Sequence, residues 1–131
     1  MIVVDTSAVL DALLVRPRNE PLIARLADDG DLHAPHLVDV EFLHALRRLV
    51  KAGKLDQESA DQIRSDFALL ALTRYPHTHL ADRIWELRTT LTAYDAAFVA
   101  LAEVLDIVLV TSDRRLARSP GHRAQVEVFT Q

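Results

Sequence analysis

The sequence predicts an α/β fold in which helices cover both faces of a parallel β-sheet. Short apolar runs rich in β-branched residues alternate along the chain with longer segments of helical periodicity, which is typical of parallel strands joined by helical crossovers. Two runs, residues 2–4 and 107–110, are apolar throughout, as expected of strands buried on both faces. The 131 residues fit a single domain spanning residues 1–131.

The first 72 residues predict two strands, at residues 2–4 and 32–35, and four helices, at residues 8–14, 19–29, 36–52 and 57–72. Residues that can cap a helix, at positions 5–7 and at Asp56, precede the first and the fourth helix. Gly30 and Gly53 follow the second and the third helix, and glycine readily adopts the left-handed conformation that ends a helix.

The remaining residues predict three strands, at residues 73–75, 107–110 and 126–129, and three helices, at residues 78–91, 95–105 and 114–118. The helix at 95–105 is apolar on almost every side, which predicts that it is buried. The run at 126–129 is expected to form an edge strand. The whole pattern is therefore consistent with one parallel sheet.

The composition excludes several kinds of site. The chain contains no cysteine, so disulfides and thiolate zinc sites are excluded. Its formal net charge is -4, which argues against a global basic field for nucleic acid, although carboxylates neutralised by bound cations would leave the rest of the chain nearly neutral. The first apolar run ends at Asp5 and is too short for a signal peptide or a membrane span. We therefore expect a soluble, cytoplasmic protein with no membrane contact.

Carboxylates follow two of the predicted strands in the same way. Residues 2–7 and 108–113 each join an apolar strand to a polar segment that contains hydroxyls and a carboxylate. In an open parallel sheet, ligands bind beyond the carboxyl ends of the strands. If these two strands are neighbours, Asp5 and Asp113 face each other at that edge.

Two further acids are candidates for the same site. Asp95 begins the predicted buried helix, at the boundary between core and solvent. Glu41 lies in the helix at 36–52, whose predicted apolar stripe includes Val40, and it can lean inward from the edge of that stripe. Asp39 lies two residues earlier and competes with Glu41 for this role.

Such a group of acids predicts a site for a divalent cation. Carboxylates that crowd together raise one another's pKa unless a cation compensates their charge. Mg²⁺, or alternatively Mn²⁺, is the expected ion because hard cations take oxygen ligands. Such a site can activate water for displacement at a phosphodiester. The neighbouring hydroxyls are expected to support the carboxylates; they belong to Thr6, Ser7, Thr111 and Ser112.

At this point the chain resembles the PIN-domain family and, within it, the VapC-type toxins. The resemblance covers nearly the full length and rests on four ordered segments: residues 3–8 (Val-Val-Asp-Thr-Ser-Ala), 40–41 (Val-Glu), 94–103 (Tyr-Asp-Ala-Ala-Phe-Val-Ala-Leu-Ala-Glu) and 109–116 (Leu-Val-Thr-Ser-Asp-Arg-Arg-Leu). One position departs from the family, since Asp106 stands where relatives often have glycine. Aspartate tolerates the left-handed conformation better than most residues.

The resemblance implies a three-layer α/β/α sandwich with a five-stranded parallel sheet. It implies a Mg²⁺-dependent endoribonuclease that leaves a 5′-phosphate and a 3′-hydroxyl, forms a homodimer and is neutralised by a cognate antitoxin. The family's acidic positions, which would bind the metal and carry the catalysis, fall on Asp5, Glu41, Asp95 and Asp113. Its hydroxyl position falls on Thr111.

Basic side chains near the acids are possible contacts for RNA. Arg114 and Arg115 follow Asp113 directly and are candidate substrate contacts. Four further cations share part of the helix at 36–52 and the turn after it, where a solvated face is favoured over contact with phosphates; they are Arg47, Arg48, Lys51 and Lys54.

Two other functions remain open at the level of the sequence. A phosphatase or phosphotransferase can use an aspartate at the end of a strand as its nucleophile, but it would want a second acid two residues later, and that position holds Ser7. A catalytically silent PIN-like module would act through protein contacts alone. Four intact acids argue against that alternative.

Overall fold

The computed structural model describes residues 1–14 and 17–130, and its centre is a five-stranded sheet. The strands are β1 (Ile2–Val4), β2 (Leu32–Pro35), β3 (Leu72–Tyr75), β4 (Val108–Thr111) and β5 (Val126–Val128). All neighbours pair in parallel, in the order β3-β2-β1-β4-β5. The predicted parallel sheet is confirmed, and β1 and β4 are indeed neighbours.

Helices flank this sheet. They are α1 (Thr6–Leu13), α2 (Glu20–Asp29), α3 (Leu37–Lys51), α4 (Gln57–Ala68), α5 (Ala81–Glu86), α6 (Ala93–Leu105) and α7 (Arg114–Arg118), with a 3₁₀ turn at Thr78–Leu80 before α5. The predicted helix ends at Gly30 and Asp106 are confirmed, since both residues adopt the left-handed conformation with φ of 69° and 53°. Among the described residues, no helix combines the length and the apolar character needed to cross a bilayer.

The core lies between the sheet and these helices. Helix α6 packs against β1, β2 and β4, and its residues 96–102 are all buried, as the sequence predicted. The three residues of β1 are at most 1% exposed. On α3 and α4, the rings of Phe42 and Phe67 stack with their centroids 4.0 Å apart. These contacts hold the carboxyl ends of β1 and β4 against helices that begin at the same edge.

The predicted buried stripe of α3 was partly wrong. Val40 is 72% exposed and Leu43 is also exposed, whereas Val38, Phe42 and Leu46 are buried. The spacing of four residues between the buried side chains is as helical as the predicted spacing. The aromatic ring of Phe42, which contacts α4, decides which face turns inward.

The predicted helix at 78–91 was also wrong in its extent. After Glu86 the chain continues as turns, although Leu87 and Leu91 remain buried. Backbone bonds of the 3₁₀ type join Arg88 to Trp85 and Thr90 to Leu87, and the side chains of Arg88 and Thr90 donate to the same two carbonyls, at 2.8 and 3.4 Å. Such local hydrogen bonds compete with a regular helix.

Several predicted boundaries shift by one to four residues. Helix α4 ends at Ala68 and not at residue 72, because Leu72 pairs with Leu32 in the sheet. Strand β4 includes Thr111, which pairs with Val128 and is fully buried. The edge strand β5 ends at Val128.

Candidate active site

Asp5 lies at the carboxyl end of the central strand, where hydrogen bonds hold both its backbone and its carboxylate. Its backbone N–H donates to the carbonyl of Val110 on β4 at 3.2 Å. One carboxylate oxygen accepts from the Ala8 N–H at 2.9 Å, which caps α1, and from the Ser7 hydroxyl at 2.7 Å. The other accepts from the Thr111 hydroxyl. Asp5 is therefore both a helix cap and a rigidly oriented carboxylate.

Burial makes the charge of Asp5 costly. The side chain is almost entirely removed from solvent, and this burial raises its pKa from 3.8 to about 6. The hydrogen bonds from Thr111, Ser7 and Ala8 lower the pKa but do not cancel the effect of burial, and the negative charge of Asp95 raises it further. A cation placed beside Asp5 would stabilise its ionised form.

Glu41 reaches the same edge from α3. The Thr6 hydroxyl donates to one of its carboxylate oxygens at 2.7 Å. Burial raises the pKa of Glu41, and the charges of Asp95 and Asp5 add to that effect. Its competitor Asp39 instead forms a two-point ion pair with Arg74, at 2.7 and 2.8 Å. The structure thus separates the two acids that the sequence left in competition.

Asp95 lies in the first turn of α6, but it does not cap the helix. The N-cap is Thr92, whose hydroxyl accepts from the Asp95 N–H at 3.2 Å. The Asp95 carboxylate is consequently available to the site. Burial raises its pKa, and the charge of Asp113 raises it further.

Asp113 caps α7 and pairs with an arginine. It accepts from the Arg115 N–H at 2.9 Å and from the Arg115 guanidinium at 3.2 and 2.9 Å. These contacts lower the pKa of Asp113. The second candidate substrate contact, Arg114, donates to the Thr130 hydroxyl at 3.0 Å. Both arginines are therefore engaged within the chain.

The predicted hydroxyls divide into two groups. Thr6 and Ser7 line the cleft and bond to the acids. Thr111 and Ser112 do not line the cleft. Thr111 donates its hydroxyl to Asp5. Ser112 donates its N–H to the Ser7 hydroxyl at 3.2 Å and its own hydroxyl to Asp11 at 3.1 Å.

One cleft of about 320 Å³ brings the four acids together. Its lining comes from the ends of β1 and β4 and from α1, α3 and α6; it comprises Asp5, Thr6, Ser7, Leu10, Glu41, His44, Ala45, Arg48, Asp95, Phe98 and Asp113. Thr111, Ser112, Arg114 and Arg115 do not line it. The acids come from four separate segments of the chain, and the fold alone assembles them.

The residues present fit a hard divalent cation in their chemistry. All four acids offer carboxylate oxygens, and three of them have a pKa raised by burial and by neighbouring negative charge. Within residues 1–14 and 17–130, however, no three acidic or histidine side chains converge tightly enough to form a ready-made cluster. Asp113 is turned toward Arg115. The four carboxylates thus line one cleft, but among the described residues they are not already as close together as the ligands of one metal ion.

Comparison with known proteins decides the family. The PIN-domain family profile matches residues 2–121. The chain belongs to the PIN-domain family. In this PIN domain, the four acids line one cleft.

Relatives of this PIN domain are named as ribonucleases. Ribonuclease VapC9 of Mycobacterium tuberculosis is 48% identical over 89% of each chain. Ribonuclease VapC1 of the same organism is 39% identical over 96% of each chain. The resemblance to the VapC-type proteins is confirmed at this level.

Solved structures share the fold. PAE2754 from Pyrobaculum aerophilum matches with a TM-score of 0.68 and 25% identity, over 95% of this chain and 82% of that chain. VapBC2 from Rickettsia felis, solved with a DNA fragment from its promoter, matches with a TM-score of 0.71 and 18% identity, over 98% and 99% of the two chains. The three-layer α/β expectation agrees with both.

The sequence reasoning did not place His44 and Arg48 in the site of this PIN domain. Both side chains line the cleft from α3, whereas Arg48 was assigned to a solvated face. The signal was available, because residues three and seven positions after Glu41 share its face of an α-helix. It was missed because the predicted stripe placed Val40 and Leu43 inward.

Proposed function

We propose that this PIN domain is an endoribonuclease toxin that hydrolyses phosphodiester bonds in RNA and is neutralised by a cognate antitoxin protein. The single observation that carries the proposal is the assembly of four carboxylates from distant segments in one cleft. The names of the VapC relatives support RNA as the substrate. The VapBC2 structure, in which a C component is named together with a B component, supports a partner of the antitoxin type.

The cofactor in this proposal is Mg²⁺, with Mn²⁺ as a substitute, held by Asp5, Glu41, Asp95 and Asp113. When bound, the cation would supply positive charge to the phosphodiester oxygens and lower the pKa of the attacking water. The protein's own contribution is positioning. Asp5 is oriented through both carboxylate oxygens, Glu41 is oriented by Thr6, and Asp113 would exchange its contact with Arg115 for the cation.

The surroundings of Asp5 disfavour the phosphatase alternative. Such an enzyme would want a second acid two residues after its nucleophile, and Ser7 occupies that position. The hydroxyl of Ser7 is itself engaged, since it donates to Asp5 and accepts from the Ser112 N–H. Attack by water is therefore favoured over a phospho-aspartate.

Cleavage assays on purified protein test the activity. We expect total RNA to be cut in Mg²⁺ or Mn²⁺, with 5′-phosphate ends, and to be spared in EDTA. Asp5→Asn and Glu41→Gln should reduce the rate by at least about a hundredfold, because each removes the charge of one oxygen ligand of the cation that would stabilise the reacting phosphate. Asp39→Asn is the matched control for Glu41→Gln, because it changes an acid of the same helix outside the cleft. Cleavage that persists unchanged in Asp5→Asn would refute the assignment.

Metal binding is tested separately by calorimetry on protein from which metal ions have been removed with a chelator. We expect Mn²⁺ and Mg²⁺ to bind the wild-type chain and to bind Asp5→Asn much more weakly, because one of the oxygen ligands has lost its charge. Equal binding by the two proteins would refute the metal assignment while leaving the cleavage result standing.

Expression in bacteria tests the toxin role. Growth should stop with the wild-type chain and continue with Asp5→Asn, and a co-expressed antitoxin should restore growth. Cleavage of RNA in vitro without any arrest of growth would contradict the toxin role alone.

A further inference from the structure

Helix α3 presents two polar side chains to the cleft besides Glu41. His44 and Arg48 line the cleft together with Glu41 and the small Ala45. At a rise of about 1.5 Å per residue, they lie about 4.5 Å and about 10.5 Å beyond Glu41 along the helix axis. The side chains of His44 and Arg48 therefore line the part of the cleft that extends away from the acids along α3. The small side chain of Ala45 leaves room in this part of the cleft.

The charge of the residues on the α3 side of the cleft bears on how RNA could bind there. RNA is a polyanion, and a cleft with four carboxylates repels it unless positive groups line the approach. Among the residues that the structure describes, Arg48 is the sole lysine or arginine that lines the cleft. Of the two arginines beside Asp113, Arg115 pairs with Asp113 and Arg114 bonds to Thr130.

Arg48 and His44 are also uncommitted. Both side chains are exposed. In the part of the chain that the structure describes, the arginine–carboxylate pairs involve Arg18, Arg25, Arg74, Arg83 and Arg115. With respect to these described residues, Arg48 is a free cation at the cleft, and its guanidinium can donate two parallel hydrogen bonds to one phosphate. The imidazole of His44 can donate another.

We propose that Arg48 and His44 bind the RNA backbone at the phosphate next to the one that is cleaved. This proposal rests on the proposed ribonuclease function and names the part of the cleft that holds the substrate. The two side chains are positioning residues, because they lie along the helix beyond the acids and contact a phosphate that does not react. Their contribution is to affinity and register.

The chain supplies a matched control for each residue. Arg47 is adjacent to Arg48 and carries the same charge on the same helix, but it lines a separate crevice between α3 and α4. His36 is exposed just before α3 and does not line the cleft. A general loss of positive charge would affect Arg47→Ala and Arg48→Ala equally, whereas a specific phosphate contact would not.

The experiment measures binding of a fluorescein-labelled, mixed-sequence 20-nucleotide single-stranded RNA to Asp5→Asn protein in Mg²⁺, over a series of KCl concentrations. Fluorescence anisotropy gives the affinity and its salt dependence. We expect Arg48→Ala to weaken binding about tenfold and to reduce the slope of log K against log salt by about 0.7, the value for one phosphate contact on a single strand. Arg48→Lys should keep most of the slope. His44→Ala should weaken binding about threefold, as expected for one neutral hydrogen bond, and Arg47→Ala and His36→Ala should change little.

Kinetics on a cleaved RNA provide the second measurement. Arg48→Ala should raise KM with little change in kcat, because the contact is made equally in the ground state and the transition state. Equal effects of Arg48→Ala and Arg47→Ala on affinity, slope and KM would overturn this inference and leave the ribonuclease function intact. If the Asp5→Asn protein does not bind RNA and the wild-type chain does not cleave it, the proposed function fails and this inference fails with it.

Discussion

At the scale of single residues, Asp5 is both the N-cap of α1 and part of the wall of the acidic cleft. Its contacts with Ala8, Ser7 and Thr111 orient the carboxylate, yet burial raises its pKa to about 6. At neutral pH without metal, the fold therefore carries an ionised group that would be more stable in water. Such a destabilised charged group is common in sites that are arranged for a charged ligand.

We predict that Asp5→Asn stabilises the metal-free protein at neutral pH. The folded-state pKa is raised from 3.8 to about 6, so the native state holds a proton between these values that the unfolded state has lost. The contribution of Asp5 to the free energy of unfolding of the wild-type chain should fall as pH rises from about 4 to 6 and then level off, by at most about 3 kcal/mol. Asparagine carries no charge and should not show this fall.

Urea unfolding in EDTA at pH 4 and pH 7 checks this prediction. Asp61→Asn, at an exposed position of α4, is the control for the loss of one negative charge and should follow the wild-type chain. An Asp5→Asn protein that is less stable than wild type at pH 7 would contradict the prediction.

The residues of the site differ in how far the sequence could predict them. Asp5 and Asp113 were predictable from the residues alone, because each follows an apolar strand and parallel strands end at one edge. Glu41 required the family resemblance, since its direction depends on which face of α3 turns inward. That face is set by the contact between Phe42 and Phe67, a tertiary contact that periodicity does not contain.

At the scale of elements, a partly buried hydrogen-bond network joins α1, α2 and the segment between β4 and α7. Asn19, which is 2% exposed, donates to the Asp11 carboxylate and to the carbonyl of Phe129, both at 2.8 Å. Ser112 donates to the same Asp11 oxygen as Asn19. Because Ser112 also bonds to Ser7, the network fixes the segment that carries Asp113.

We predict that Asp11→Ala lowers both stability and activity, whereas Asp11→Asn largely preserves them. Alanine leaves the buried amide of Asn19 with an unpaired donor, which costs about 1–3 kcal/mol, and it releases Ser112. Asparagine can keep both bonds, since both end on one oxygen of Asp11. Chemical denaturation measures the first effect and kcat for RNA cleavage the second.

A comparable loss in both variants would show that the charge of Asp11, and not its hydrogen bonding, maintains the site. No loss in either variant would show that the network does not hold the segment. Both measurements are needed, because a purely structural role would lower stability without lowering kcat under conditions where the protein stays folded.

Elements with clear end signals were predicted well. Caps at Asp56 and Gly30 and the apolar runs of the strands fix their positions to within a few residues. The segment after Glu86 was not predictable, because its turns depend on side chains that bond to carbonyls of the same segment and to Pro120. The spacing of the apolar residues indicates that Leu87 and Leu91 are buried and Ile84 partly so, and burial is compatible with either a helix or a series of turns.

At the scale of the whole molecule, an acidic chain is proposed to act on an acidic polymer. The net charge of -4 provides no general attraction for RNA. Any attraction must then come from bound cations and from single side chains at the cleft, such as Arg48. This arrangement favours selectivity by local contacts over unspecific adhesion to nucleic acid.

We predict a homodimer, as the family resemblance implies, with exposed apolar residues on α3, α5 and α6 as candidates for its interface. Val40, Trp85 and Tyr94 are each more than 60% exposed. Sedimentation equilibrium at micromolar concentration should give the mass of two chains for the wild type. Val40→Glu should shift the population toward the monomer because it places a charge in an apolar contact.

Leu69→Glu is the control for the dimer, since Leu69 is the most exposed large apolar residue of the described chain and follows α4. A monomeric wild-type chain would contradict the prediction. A dimer that both variants weaken equally would place the interface elsewhere.

The position of β1 in the middle of the sheet also governs when the protein becomes active during its synthesis. Asp5 is made well before Thr111, because their bond spans 106 positions of the chain, and strand β4, one of the two neighbours of β1, is made long after β1. A nascent chain that ends before Thr111 and Asp113 can have no complete cleft. The cleft can therefore form only after that segment has been made, and an inhibitor of the cleft is needed only from that point of translation.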